Sequence, residues 1–191
     1  MSKIGFGIDV GGSGIKGARV DLETGEFVGD RIKILTPKPA TTDAVAETIV
    51  AILNQAEWDG PVGITLPSVV KNQHAHTAAN IDPSWVNTDL TELFSRHLPE
   101  RRVHVLNDAD AAGLAEVKFG HPDASHGSVI MLTFGTGIGS AFFQDGVLFP
   151  NTELGHLAFK NSEVEKYASS AVKDNEELSY TQWAKRVSKV L

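Results

Sequence analysis

The chain of 191 residues contains no cysteine. That absence excludes a disulfide framework, a cysteine nucleophile, Fe–S clusters and cysteine-built zinc sites. Long hydrophobic runs are missing too. Mean hydropathy is −0.09, and Lys, Asp or Glu interrupts most apolar stretches, so none is suited to span a bilayer. Basic residues are outnumbered, 17 Lys and Arg against 24 Asp and Glu, for a net charge of −7. This balance argues against a general nucleic-acid coat. It leaves room for a polyanionic ligand, because a local cluster of donors still binds phosphate. The apolar pattern begins at Ile4. No signal peptide or appended DNA-binding module is therefore expected ahead of it, and the expected location is cytoplasmic. With 41% hydrophobic and 21% charged residues, the chain reads as globular, with one large domain or two small ones.

Glycine is abundant, at 18 residues, and its placement is informative. The cluster Asp9-Val-Gly11-Gly12-Ser13-Gly14-Ile-Lys16-Gly17 lies between the apolar strands IGFGIDV and ARVDL. A hairpin turn at Glu23-Thr-Gly25-Glu leads to a third strand, FVGDRIKIL. Thr42 or Asp43 can cap a helix whose apolar face is Val45, Ile49, Ile52, Leu53 and Ala56. A buried strand, PVGITLP, follows; residues 68–87 have no period and read as a loop. Asp89 caps a short helix with Leu90, Leu93 and Phe94 on one face. Strand VHVLN then runs into a helix from Asp108 to about Gly120.

A second cluster, Thr133-Phe134-Gly135-Thr136-Gly137-Ile138-Gly139, again lies between strands, SVIML and SAFF, with a turn at Asp145-Gly146 into VLF. Gly12-Ser13-Gly14-Ile15 and Ala18 overlay Gly135-Thr136-Gly137-Ile138 and Ala141, which suggests a duplicated strand–turn–strand unit. Glycine-rich turns let backbone N–H groups approach an anion without Cβ interference. Ser13 and Thr136 add hydroxyls, and Lys16 adds a point charge. Neither loop is a Walker loop or a dinucleotide loop, since each runs from strand to strand. For either turn alone, a plain hairpin with bulge glycines remains the alternative.

The first cluster resembles the first phosphate loop of the ROK sugar kinases, in the actin–hexokinase superfamily. The second cluster resembles their second phosphate loop. Asn107-Asp108-Ala resembles the family's catalytic Asn-Asp-Ala, Glu153-Leu-Gly-His156 its sugar-binding Glu-x-Gly-His, and Ala79-Asn80-Ile81…Trp85 the segment that supplies a sugar-binding Asn. Thr77–Trp85, Asn151–Leu157 and Glu165–Ser169 are most similar to the subgroup that uses inorganic polyphosphate to phosphorylate glucose. Ordinary members carry a zinc-binding cysteine run after Glu-x-Gly-His; this chain and that subgroup lack it, which leaves His156 without evident zinc partners.

The resemblance implies a two-lobed α/β fold of the actin–hexokinase (ribonuclease H-like) type. The lobes are expected at residues 1–118 and 119–191, the second incomplete at its C-terminus. There, Ser179 caps a helix with Trp183, Val187, Val190 and Leu191 on one face, whereas ROK chains continue further. The implied reaction is transfer of a phosphoryl group from polyphosphate, and possibly ATP, to the 6-hydroxyl of glucose, a step at the head of glycolysis. An ATP-dependent kinase for another hexose, such as mannose, is the first alternative; a sugar-sensing ROK repressor is the second. The resemblance makes Asp108 the general base, which the helix dipole would keep ionised. Asp110 reads as an ordinary acid of the helix start. Asp9 would hold Mg²⁺, through water. Gly11, Gly12, Ser13, Gly14, Lys16, Gly135, Thr136 and Gly137 would bind phosphate. Asn80, Asn107, Asp108, Glu153, His156 and Glu165 would bind the sugar, although Glu165 lies in a charged stretch where a solvated helix face is the alternative. Ser68 departs from the glycine expected after Leu-Pro. No zinc, nucleic-acid or membrane partner is expected, and the family implies a homodimer.

Overall fold

The computed structural model describes residues 3–78 and 81–191. Its elements run β1 (Ile4–Val10), β2 (Ile15–Asp21), β3 (Phe27–Ile34), α1 (Thr42–Gln55), β4 (Val62–Leu66), β5 (Val70–Lys71), β6 (His74–Ala75), β7 (Thr88–Asp89), α2 (Leu90–His97), β8 (Val103–Asn107) and α3 (Asp108–Phe119). They continue with β9 (Ser128–Phe134), β10 (Ile138–Gln144), β11 (Val147–Phe149), β12 (Ala158–Phe159), β13 (Ser162–Glu163), α4 (Glu165–Ala168), α5 (Ser170–Asn175) and α6 (Tyr180–Val187). The expected α/β class holds.

Two compact units divide the chain, one through Ala111 and one from Ala112. The division falls inside α3, earlier than the expected boundary after Lys118. The cause is packing: Gly113 lies so close to Ala141 and Phe143 of β10 that the C-terminal part of α3 joins the second unit.

The first unit is a five-stranded sheet in the order β3-β2-β1-β4-β8. β1 is antiparallel to β2 but parallel to β4, and β4 is parallel to β8. Successive side chains of a strand point to opposite faces. Phe6, Ile8 and Val10 therefore share one face and pack in a core with Val45, Ile49, Ile52 and Leu53 of α1. Asp9 falls on the other face, paired in register with Lys16 and Thr65. The helix caps follow local chemistry. Thr41, one residue earlier than expected, accepts from the N–H of Ala44, and Asp89 accepts from that of Glu92.

Residues 68–78 are more ordered than their pattern suggests. β5 and β6 form a hairpin, joined to β7 in a three-stranded sheet. Asn72 and Gln73 make its turn with φ of 51° and 57°, a left-handed pair without glycine. The Gln73 amide donates to Val105 O (3.0 Å) and accepts from Val105 N (2.9 Å), bonding edge strand β8 as a neighbouring strand would.

The second unit opens with an antiparallel meander in the order β11-β10-β9, the same arrangement as β3-β2-β1. β2 and β10 lie 123 residues apart (Ile15 to Ile138, Asp21 to Gln144) and begin with the same burial pattern. The duplication read from the glycine clusters is thus a duplication of structure. Among the described residues, no parallel strands follow the second meander as β4 and β8 follow the first. Ile138, Val164 and Ala168 form a small core with Leu132, Phe134, Val187 and Val190. Among the described residues, no helix is long and apolar enough to cross a membrane.

Candidate active site

Because β1, β4 and β8 are parallel, their carboxyl ends share one edge of the first sheet, where ligands of α/β folds bind. Asp9 and Thr65 stand one residue before the ends of β1 and β4, and Asp108 directly follows β8. Lys16 Nζ lies 2.8 Å from Asp9 Oδ2, and the Thr65 hydroxyl donates to Asp9 Oδ1 (3.3 Å). The Asp9 carboxylate keeps 49% of its exposure. Asp108 accepts from the N–H of Ala109 (2.8 Å). Its carboxyl is pushed above the ordinary aspartate value, chiefly by desolvation and further by the Asp9 charge, against the opposing Ala109 hydrogen bond. Desolvation thus works against the helix start, which was expected to keep this carboxyl ionised. Asp108 is a stronger base than a free aspartate.

The first glycine turn closes with Gly11 N donating to Gly14 O (3.2 Å), and the Thr36 hydroxyl donates to Gly11 O. Gly12 and Ser13 are left exposed. Asn107 is buried: its Nδ2 donates to Ser68 O (3.1 Å) and its Oδ1 accepts from Asp110 N (3.0 Å). Asp110 is buried as well, 2% exposed, so it is more than the surface acid that its place suggested. Asn80 lies outside the described residues. Asp9, Lys16 and Thr65 also border a recess of about 440 Å³ over Gly7, Gly63 and Leu106, whose apolar walls suit neither sugar nor phosphate.

In the second unit, Gly135 N donates to Gly137 O (3.0 Å), and Thr136 is exposed. Glu165 lies against this turn, its Oε2 accepting from Ile138 N (3.2 Å). A Cβ on Gly137 would stand 2.1 Å from that oxygen. Glu165 is 14% exposed at its side chain and 3.1 Å from Lys166, so it is not part of a solvated helix face. Glu153, at φ 34°, starts the tight turn Leu154–His156. A Cβ on Gly155 would meet Ile138 O at 2.1 Å, which explains the glycine of Glu-x-Gly-His. Buried Ser140 fixes this turn by accepting from Leu154 N (2.9 Å).

His156 has neighbours that the sequence did not reveal. Its Nδ1 is 3.4 Å from Glu163 and its Nε2 is 3.7 Å from Glu153. Ligand atoms of His156, Glu163 and Glu165 lie within 4.8 Å of one another. The expectation that His156 lacks metal-capable neighbours is therefore corrected. β12 and β13 pair as a hairpin and bring Glu163 back beside it. Thr65, Ser140 and Glu163 carried no motif; only strand alternation could have singled out Thr65.

The profile of the ROK family matches residues 5–171. A polyphosphate glucokinase of Mycobacterium tuberculosis is 54% identical over 187 residues, covering 98% of this chain and 71% of that protein. A glucokinase of Streptomyces coelicolor is 34% identical over 80% of this chain and 49% of its own length. Among solved structures, an inorganic polyphosphate/ATP-glucomannokinase from an Arthrobacter strain superposes with a TM-score of 0.90 at 42% identity, covering 98% of this chain and 76% of that one.

Proposed function

This chain belongs to the ROK family, and from that premise we propose that it phosphorylates the 6-hydroxyl of glucose with inorganic polyphosphate as donor, ATP being a second donor. The observation that carries the reading is Asp108 at the carboxyl edge of the sheet, made more basic by desolvation and by Asp9. Asp108 takes the proton of the 6-hydroxyl as the new O–P bond forms. The bridging P–O bond of the donor breaks, and the donor leaves one phosphate shorter. The transition state is loose, so positioning and charge stabilisation dominate over covalent help.

Asp9, with the Thr65 hydroxyl 3.3 Å from its Oδ1, offers oxygen donors, which fit a hard divalent cation such as Mg²⁺. When bound, Mg²⁺ would neutralise charge on the donor phosphates, with Asp9 as its principal anchor. Gly11–Gly14 with Lys16, and Gly135–Gly137, are proposed to cradle phosphate. Sugar-binding roles for Asn80, Glu153, His156 and Glu165 rest on the family resemblance; Asn107 is proposed to position its neighbours as well as to touch the sugar. No structural zinc belongs to this reading. A homodimer and a cytoplasmic location are proposed by resemblance.

Mannose as a further acceptor is favoured by one finding, the glucomannokinase among the similar structures. The test is the initial rate with glucose and mannose, each with matched polyphosphate and Mg-ATP, and phosphorus NMR of the product. A 6-phosphate ester formed from polyphosphate is expected. No transfer to any hexose from either donor would overturn the reading.

A further inference from the structure

We propose that Ser68 is a positioning residue that couples the β5–β6 hairpin to the Asn107-Asp108 turn and so fixes the general base relative to the acceptor side of the site. The proposal rests on the sugar-kinase reading for its kinetic consequence, though not for its geometry.

Ser68 is 2% exposed and stands between β4 and β5. Its hydroxyl donates to Thr77 O (2.7 Å), across the neck of the hairpin. The same neck is closed by Val69 N donating to Thr77 Oγ1 (2.9 Å) and His76 N donating to Val69 O (2.8 Å). On its other side, the carbonyl of Ser68 accepts from Asn107 Nδ2 (3.1 Å), and Asn107 Oδ1 accepts from Asp110 N (3.0 Å) in the first turn of α3. A continuous path thus runs from Thr77 through Ser68 and Asn107 to the helix start that carries Asp108. The path is buried at both Ser68 and Asn107. Buried hydrogen bonds exchange with water poorly, so removing a partner leaves a real deficit. A glycine at 68 keeps the carbonyl but loses the hydroxyl that closes the neck. Serine therefore adds a connection that glycine lacks. Misplacement of a catalytic group by about 1 Å costs on the order of 100-fold.

The expected kinetic signature is specific to the acceptor. Ser68→Ala lowers kcat/KM for glucose by about tenfold to 100-fold, while KM for the phosphate donor stays within about twofold. Thr77→Val, which removes the acceptor of Val69 N, behaves alike, and Thr77→Ser, which keeps it, stays within about twofold of wild type. The two variants remove different bonds of the same neck, so the double variant shows a loss that departs from the sum of the single losses. Hydrogen exchange supplies a readout without turnover. Ser68→Ala accelerates exchange at both the Val69–Thr77 neck and the Asp110 amide. Faster exchange at the neck alone, wild-type kcat/KM, or equal loss toward glucose and donor would each overturn the coupling. If exchange rises at both places in a protein that binds no hexose, the coupling stands and the sugar-kinase reading falls.

Discussion

Lys16 faces Asp9 across the first hairpin, its ammonium 2.8 Å from the carboxylate, while the charge of that same carboxylate raises the pKa of Asp108. One aspartate therefore has two effects, anchoring a cation and strengthening a base. If Asp108 must be ionised to accept a proton, the acid limb of kcat/KM against pH is displaced upward from the ordinary aspartate value. Asp9→Asn removes the raising charge, so the limb should move to lower pH even as the rate falls. A full pH profile of both proteins checks this; an unmoved limb would separate Asp9 from the base.

Asp108→Asn should reduce kcat by about 10²–10⁴ and leave glucose binding within a few-fold. Stability should respond differently. For a carboxyl whose folded pKa is raised, stability falls as pH rises from the unfolded pKa through the folded one, and the penalty persists above both. The neutral variant escapes that penalty at neutral pH. Thermal melts at pH 7 should therefore give a Tm equal to or above wild type. Asp110→Asn serves as the control, since Asp110 is buried and its removal should cost stability more than chemistry.

Two glycines of the second unit should tolerate alanine very differently. At Gly155 the added Cβ would meet the backbone carbonyl of Ile138, which cannot move aside cheaply. Gly155→Ala should destabilise by about 1–3 kcal/mol and raise KM for glucose. At Gly137 the obstacle is the end of the flexible Glu165 side chain. Gly137→Ala should leave Tm within a few degrees while displacing Glu165. Equal losses of Tm in the two variants would contradict this account.

The first unit was legible because its signals are local. The apolar run of β1, the periodic face of α1 and the passage of VHVLN into the helix at Asp108 were all visible in short stretches of sequence. The packing of Gly113 on β10, which draws the C-terminal part of α3 into the second unit, is a tertiary fact with no local mark. The β5–β6 hairpin was missed because Asn72 and Gln73 make its turn without glycine. Ser68 was marked only as a departure from glycine, and Ser140 and Glu163 escaped notice, because their importance lies in partners 9 to 39 residues away, or in a carboxylate returned by a two-residue hairpin. The glycines of the motifs, by contrast, were visible, and for Gly155 the structure supplies the backbone contact that requires it.

Metal content distinguishes two uses of carboxylates. Activity should require Mg²⁺ and vanish with a chelator. His156, Glu163 and Glu165 are close enough to hold an ion, yet Glu165 is also engaged by Ile138 N and Lys166. Elemental analysis of metal-stripped, repurified protein should find no stoichiometric zinc. One zinc per chain, lost together with activity in His156→Ala, would assign the cluster to metal instead.

The donor should reveal itself through salt. Five lysines are candidates to line a path for a long polyanion: Lys16, Lys71, Lys118, Lys160 and Lys166. The structure engages four of them locally. Lys16 pairs with Asp9 and Lys166 with Glu165, Lys118 lies over the Phe119 ring, and Lys160 lies over Phe159 and Tyr167. Rings leave an ammonium its charge, so Lys118 and Lys160 remain attractive to phosphate, whereas Lys166 is offset by its neighbour. Only Lys16 is joined to the group proposed to anchor the cation at the reacting phosphate. Lys16→Met should therefore impair both donors, by about tenfold or more, through a contact made at the chemistry itself. Lys160→Met should weaken long polyphosphate alone. Each phosphate neutralised by a protein cation releases a counterion, so KM for long polyphosphate should rise steeply with salt, by analogy with nucleic acids, and more steeply than KM for ATP. Rates on glucose measured from low to high potassium chloride with both donors check this. Equal salt slopes for the two donors would mean that only the terminal phosphates are held, and that the rest of the polymer lies free in solution.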